Sequence, residues 1–364
     1  MKRTPRIFGP AGIVARSSNP SVVRRNVLRG IATGAIWGMP FMLNSGGLNA
    51  EKSARACLYA DGALARYGFP EGHPLGADRQ GAFLKESERQ GLLAKVRVCT
   101  SRSATIEEIG RFHTRDHIDK VKHAERNELA FLDNGDTPVF PGIFEASSNV
   151  VGAGLDGLAR VMRGECDRSF QPVGGLHHAG RDHSAGFCVF NDLGVVIETL
   201  RAQYGIRRVA YVDIDVHHGD GIFYAYEEDA DLVFADIHED GRYLYPGTGR
   251  EDETGKGAAR GSKLNVALKP GSGDAEFLQA WLRVEQHLAH FEPEFIVFQC
   301  GADGLKDDPL GHLNYTPAAH AHAAKSLRAI AARFAGGRLM AFGGGGYNRG
   351  NLAKAWSAVL REIS

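Results

Sequence analysis

An α/β fold, one domain around a mainly parallel central sheet flanked by helices, is predicted by three features of this 364-residue chain. Near-continuous apolar, β-rich runs recur along it, as in parallel strands covered on both faces. Amphipathic helical patterns separate these runs. Clusters of aspartate, histidine and glycine stand at the ends of the apolar runs, and ligands bind beyond the carboxyl ends of strands in sheets of this kind.

The first fifty residues differ from the rest. They carry Lys2, Arg3, Arg6, Arg16, Arg24, Arg25 and Arg29, with no acid before Glu51. "RRNVLRG" precedes the mildly apolar "IATGAIWGMPFML" and then "GGLNA". This is similar to a twin-arginine export signal with a small-residue cleavage site near Ala50, which would make the mature protein periplasmic. An organelle transit peptide or a plain N-terminal extension fits the same composition, the latter leaving the protein cytoplasmic. Residues 1–50 are therefore set apart, and 51–364 are taken as one catalytic domain.

Helical patterns cover about 144–164, 190–204, 274–291, 317–335 and 348–362. Within 274–291, Phe277, Trp281, Val284, Leu288 and Phe291 line one face, and Asp274 is the expected N-cap. The runs at 207–216, 231–238, 294–300 and 337–342 read as strands. No apolar run reaches the roughly 18–20 residues of a membrane span. Formal net charge is zero, so nothing in the balance points to nucleic acid. The five cysteines are widely spaced without a Cys-x-x-Cys, against a disulfide framework or a thiolate zinc site.

The chemistry concentrates in three places. "VDIDVHHGDG" (212–221) follows the apolar 207–211. Side chains alternate along a strand, so Asp213, Asp215 and His217 share one side and Val212, Ile214 and Val216 the other. Close, buried carboxylates repel, and a bound cation offsets that cost. Asp215 and His217 offer an oxygen and an imidazole nitrogen, a donor pair suited to zinc, and Asp303 in "QCGADG" adds a third ligand candidate. "GGLHHAGRDHSAGFCVFND" (174–192) presents His177 and His178 as general-base candidates, with Asp213 and Asp220 free to orient them. Phe187 and Cys188 in the same segment add an apolar wall. "FGGGGYN" (342–348) lacks the P-loop pattern and instead presents Tyr347, whose hydroxyl can donate to an oxyanion.

Together these motifs resemble the zinc-dependent histone deacetylase family, which shares its fold with arginase. "YGFPEGHPLGADR" (67–79) and "DTPVFPGIFEA" (136–146) extend the resemblance over most of 55–362, and "GADGLKDDPLG" leans toward class I and bacterial acetoin-utilisation members. The resemblance implies hydrolysis of an acetyl-lysine amide in proteins or peptides. One zinc ion would be held by Asp215, His217 and Asp303. His178, oriented by Asp220, would be base and then acid, with His177 and Asp213 as electrostatic partners. Tyr347 would stabilise the oxyanion. Gly186, Phe187 and Tyr245 would line the substrate tunnel, Asp136 would hold the substrate backbone, and Leu310 would stand at the gate. A potassium ion is also implied, at Asp213, Asp215 and His217, although Asp236 in "FADIHED" replaces the expected small hydroxyl residue.

Three alternatives stay open on sequence. An acetylpolyamine amidohydrolase would use the same machinery on small acetylated amines. A dimanganese, arginase-like hydrolase is expected to carry D-x-H-x-D segments, which differ from the D-x-D-x-H-H found here. A silent acyl-lysine binder would lack the oxyanion tyrosine, which is present.

Overall fold

The computed structural model describes residues 55–70 and 72–364, so the leader-like segment 1–50 and its expected cleavage point lie outside the described residues. Among the described residues, eight strands form one sheet: β1 (Ala56–Tyr59), β2 (Arg97–Cys99), β3 (Arg168–Gln171), β4 (Val209–Asp213), β5 (Leu232–Glu239), β6 (Lys263–Leu268), β7 (Phe295–Gln299) and β8 (Leu339–Phe342). Their order is β2-β1-β3-β8-β7-β4-β5-β6, and every neighbouring pair is parallel.

Alternation along the strands builds two apolar layers. Val209, Tyr211, Phe295, Val297 and Phe342 pack on one face with residues of the Ile143–Met162 and Asp192–Tyr204 helices. Ala210, Val212, Ile296, Phe298 and Ala341 pack on the other, with residues of the Asp274–Phe291, Pro317–Phe334 and Arg349–Ile363 helices. Both faces are thus dry, which is why these strands are apolar at successive positions. No helix among the described residues is long and apolar enough to cross a membrane. All five cysteines are buried and free.

The helix expected over 274–291 forms, but its cap is corrected. Gly273 is the N-cap, and Asp274 lies in the first turn. The Asp274 carboxylate instead accepts from the Thr316 backbone N–H (2.8 Å) and hydroxyl (2.6 Å), joining this helix to the start of the next. The strand expected over 207–216 ends at Asp213, yet Ile214 and Val216 continue into the apolar layer.

Consecutive strands β3 and β4 are separated in the sheet by β8 and β7. The loops after these four adjacent strands carry His177 and His178, Tyr347, Asp303, and the Asp215–His217 pair. The crossover therefore gathers four distant motifs at one carboxyl edge.

Candidate active site

Asp215, His217 and Asp303 meet beyond β4 and β7, all three buried, with one potential ligand atom from each lying within 4.8 Å of the others. His217 Nδ1 stands 3.0 Å from Asp215 Oδ1 and 3.3 Å from Asp303 Oδ2. Burial alone would lower the imidazole, but the two carboxylates outweigh it and push His217 up to about 10. Burial and the charge of Asp215 push Asp303 up to about 7. The site calls for positive charge at its centre. Asp303 Oδ2 lacks a hydrogen-bond partner although it is buried. A Cβ on Gly345 would sit 2.0 Å from that oxygen, and one on Gly301 2.0 Å from Asp215 Oδ2, so only glycine lets the loops close on these carboxylates. Two carboxylate oxygens and an imidazole nitrogen fit a zinc-type divalent ion.

The remaining oxygens are engaged and aim the ligand candidates. Asp215 Oδ2 accepts from Gln299 Nε2 and from the Gly345 N–H, each at 2.8 Å. Asp303 Oδ1 accepts the Val216 N–H at 3.0 Å.

Two histidines stand beside this cluster. His177 Nδ1 lies 2.8 Å from Asp213 Oδ2, and His178 Nδ1 lies 2.7 Å from Asp220 Oδ1. The Asp220 carboxylate accepts, so His178 donates through Nδ1 and leaves Nε2 for other partners; burial and the charges of Asp236 and Asp215 hold Asp213 well above the usual carboxylate range. The two Nε2 atoms are 3.1 Å apart. Burial, followed by repulsion from His177, holds His178 below the usual histidine range, so at neutral pH it is available to take a proton. Asp192 places the loop by accepting the Gly175 and Leu176 N–H groups at 3.0 and 2.9 Å.

A cavity of about 240 Å³ opens over these groups. His178, His217 and Tyr347 border it, and its other walls include Asp136, Gly186, Phe187, Tyr245 and Leu310. Leu244, which the sequence reading did not single out, lines it as well. Phe187 adopts a φ of +70°, unusual for a bulky residue. Its backbone is held by Thr137 Oγ1, which accepts its N–H at 3.1 Å, and by the Tyr67 hydroxyl, which donates to its carbonyl at 2.7 Å. A second cavity, about 340 Å³, is bordered by His178 and Asp220 but includes none of the three ligand candidates.

Tyr347 is kept protonated, its hydroxyl raised well above the usual tyrosine range by burial and by the charges of Asp303 and Asp215. Its N–H donates to Asp308 Oδ2 at 2.7 Å. The buried Arg79 donates to the carbonyls of Gly346 (2.9 Å) and Gly344 (2.5 Å) and lies against the Tyr347 and Trp356 rings. Arg79→Ala is expected to cost about 2–4 kcal/mol, because two buried carbonyls lose their donors. It should also lower kcat while metal is retained; thermal unfolding and turnover check both.

A histone deacetylase domain model matches residues 73–363. The chain belongs to the histone deacetylase family. Acetoin utilization protein AcuC of Bacillus subtilis is 38% identical over 275 residues, covering 73% of this chain and 71% of that protein. Histone deacetylase RPD3 of Saccharomyces cerevisiae is 33% identical over 312 residues, covering 83% and 70%. The crystal structure of the HDA15 HD domain matches with a TM-score of 0.77 at 27% identity, over 85% of this chain and 88% of that one. Membership in the histone deacetylase family makes the chain a deacetylase-type hydrolase acting on acetylated substrates, and the fold agrees.

Every site residue named from the sequence lies in this region, but residues that support it were missed, among them Arg79, Asp192, Gln299 and Asp308. These four lie in the motif segments 67–79, 174–192, 299–304 and 301–311. Their signal was a polar side chain next to an apolar or glycine-rich run, where burial demands a partner. The potassium ion implied by the deacetylase resemblance gains no support. Asp236 stands beside Asp213 on the neighbouring strand, but both its oxygens are engaged, with His238 Nδ1 at 2.8 Å and the Gly219 N–H at 2.9 Å.

Proposed function

We propose that the chain is a zinc-dependent amidohydrolase that removes acetyl groups from lysine side chains of proteins or peptides. One observation carries this reading. The Asp215–His217–Asp303 cluster, a carboxylate-oriented histidine and a protonated tyrosine converge at one cavity with Phe187, Tyr245 and Leu310 in its walls. Such walls suit the aliphatic stem of an acylated lysine.

Zinc, when bound by Asp215, His217 and Asp303, would polarise the acetyl carbonyl and acidify water. The protein's own groups then divide the work. His178 Nε2 takes a proton from the attacking water, and Asp220 stabilises the resulting imidazolium. Tyr347 donates to the carbonyl oxygen as it gains charge. His178 returns the proton to the nitrogen as the C–N bond breaks, giving acetate and free lysine. His177, paired with Asp213, donates or accepts within the same network. Asp136, exposed in the cavity wall, would receive backbone N–H groups of a peptide.

A panel of acetyl-lysine peptides, longer acyl-lysines and acetylputrescine tests the reading, with wild type beside Tyr347→Phe. The wild type is expected to prefer acetyl-lysine, since Leu310 at the mouth offers no charge to a cationic chain. Tyr347→Phe should lower kcat by roughly 10²–10³, the usual loss for one oxyanion donor. Faster hydrolysis of acetylputrescine would replace the protein substrate with a polyamine.

A further inference from the structure

Leu310 lies on a segment gripped from outside by a carboxylate that the mechanism does not use. Glu239 ends β5 and is only 2% exposed. Its N–H donates to Val216 O at 2.9 Å, between the ligand candidates Asp215 and His217. Its side chain reaches the segment 308–312. Oε2 accepts the His312 backbone N–H at 2.8 Å, and Oε1 accepts from His312 Nδ1 at 2.8 Å. The His312 side chain is 61% exposed, so this carboxylate, more than packing, places it.

The rest of the segment is equally constrained. Gly311 lies flat against the metal loop, where a Cβ would stand 2.6 Å from Asp303 O and 2.9 Å from a Val216 methyl. Asp308 Oδ1 accepts the Leu310 N–H at 3.1 Å. Leu310 is thus pinned from both sides, with its side chain in the cavity wall. A buried carboxylate left without partners is costly, so Glu239 and the His312 segment hold each other firmly.

We propose that Glu239 is a positioning residue for specificity. Through its two bonds to His312 it keeps Leu310 at the tunnel mouth, and so sets how tightly the substrate stem is gripped, without touching the reacting atoms. This rests on the deacetylase reading of the tunnel. Asp308 acts on the same segment but also holds Tyr347, so substituting it would mix grip with chemistry. Glu239 separates them.

The experiment measures kcat, KM and metal content for zinc-loaded wild type, Glu239→Ala, Glu239→Gln and His312→Ala, on an acetyl-lysine peptide and on acetylputrescine. Glu239→Ala is expected to raise KM for the better substrate about tenfold, the scale of one lost apolar contact, with kcat and metal within about twofold. His312→Ala should raise KM in the same direction. Glu239→Gln should stay near wild type, because its amide can accept from the His312 N–H and donate to a neutral ring nitrogen. A role in stability alone would lower the melting temperature and leave KM unmoved, which overturns the proposal, as does a fall in kcat at constant KM. If Glu239→Ala does not fold, a wild-type KM in His312→Ala overturns it instead. Wild type that hydrolyses neither substrate removes the deacetylase reading and this inference with it, an outcome visible before any variant is compared.

Discussion

Asp215→Asn is expected to lose both the metal and the activity. One Asp215 oxygen faces His217, and the other receives two donors, Gln299 Nε2 and the Gly345 N–H. An asparagine has one oxygen and one NH2. If the oxygen keeps the two donors, the NH2 points into the metal cluster. If the oxygen turns to the metal, the NH2 meets Gln299 and Gly345 donor to donor. Either way one negative charge is gone from a centre that demands a cation. Losing a partner one step removed from a metal already costs about 10–100-fold in affinity, so losing a ligand should exceed ~100-fold. Metal analysis after dialysis, with turnover on the same sample and circular dichroism as the folding control, measures this. A folded variant that keeps both metal and turnover refutes the ligand assignment.

His178→Ala should keep its metal and lose about 10²–10⁴ in kcat, the range for removing a positioned general base. The expectation rests on the Asp220 bond, which turns His178 Nε2 away from the carboxylate, and on burial, which favours the neutral ring. His177 is the internal comparison. It pairs with Asp213, which also accepts from Tyr211, and sits deeper in the network. Parallel kcat and metal measurements on His177→Ala decide between the rings. A larger loss in His177→Ala than in His178→Ala would move the base to His177.

The fold is legible in the sequence where the physics is local. The helix over 274–291 is visible because its apolar residues recur on one face, and β4, β5, β7 and β8 because they are apolar on both faces. β1, β2, β3 and β6 are not visible in this way. β3 reads "RSFQ", which has no strand-like apolar pattern, yet all four residues are buried. Arg168 donates to Ile363 O at 2.5 Å and Gln171 to Val150 O at 2.9 Å. Those partners are 195 and 21 residues away, so nothing local announces that the polar side chains will be satisfied in the core. The Asp274 cap failed for a related reason: Thr316, 42 residues on, competes for the carboxylate and wins both of its oxygens.

The site divides the same way. Donor types and their crowding at strand ends are properties of short segments, so the metal and histidine candidates were legible, and the motif resemblance supplied their pairing. The residues that hold them in place were not. Arg79 reaches glycine carbonyls 265 and 267 residues away, Glu239 reaches His312 over 73, and Asp308 reaches Tyr347 over 39. Fold class, apolar layers and the chemical inventory of the site can be read residue by residue, because periodicity and side-chain chemistry are local. Which carboxylate pairs with which histidine, how closely the glycine loops approach the ligand candidates, and what pins the tunnel wall emerge only on folding. Those depend on the crossover that brings β3, β8, β7 and β4 side by side, and a distance between segments does not exist until the chain has folded.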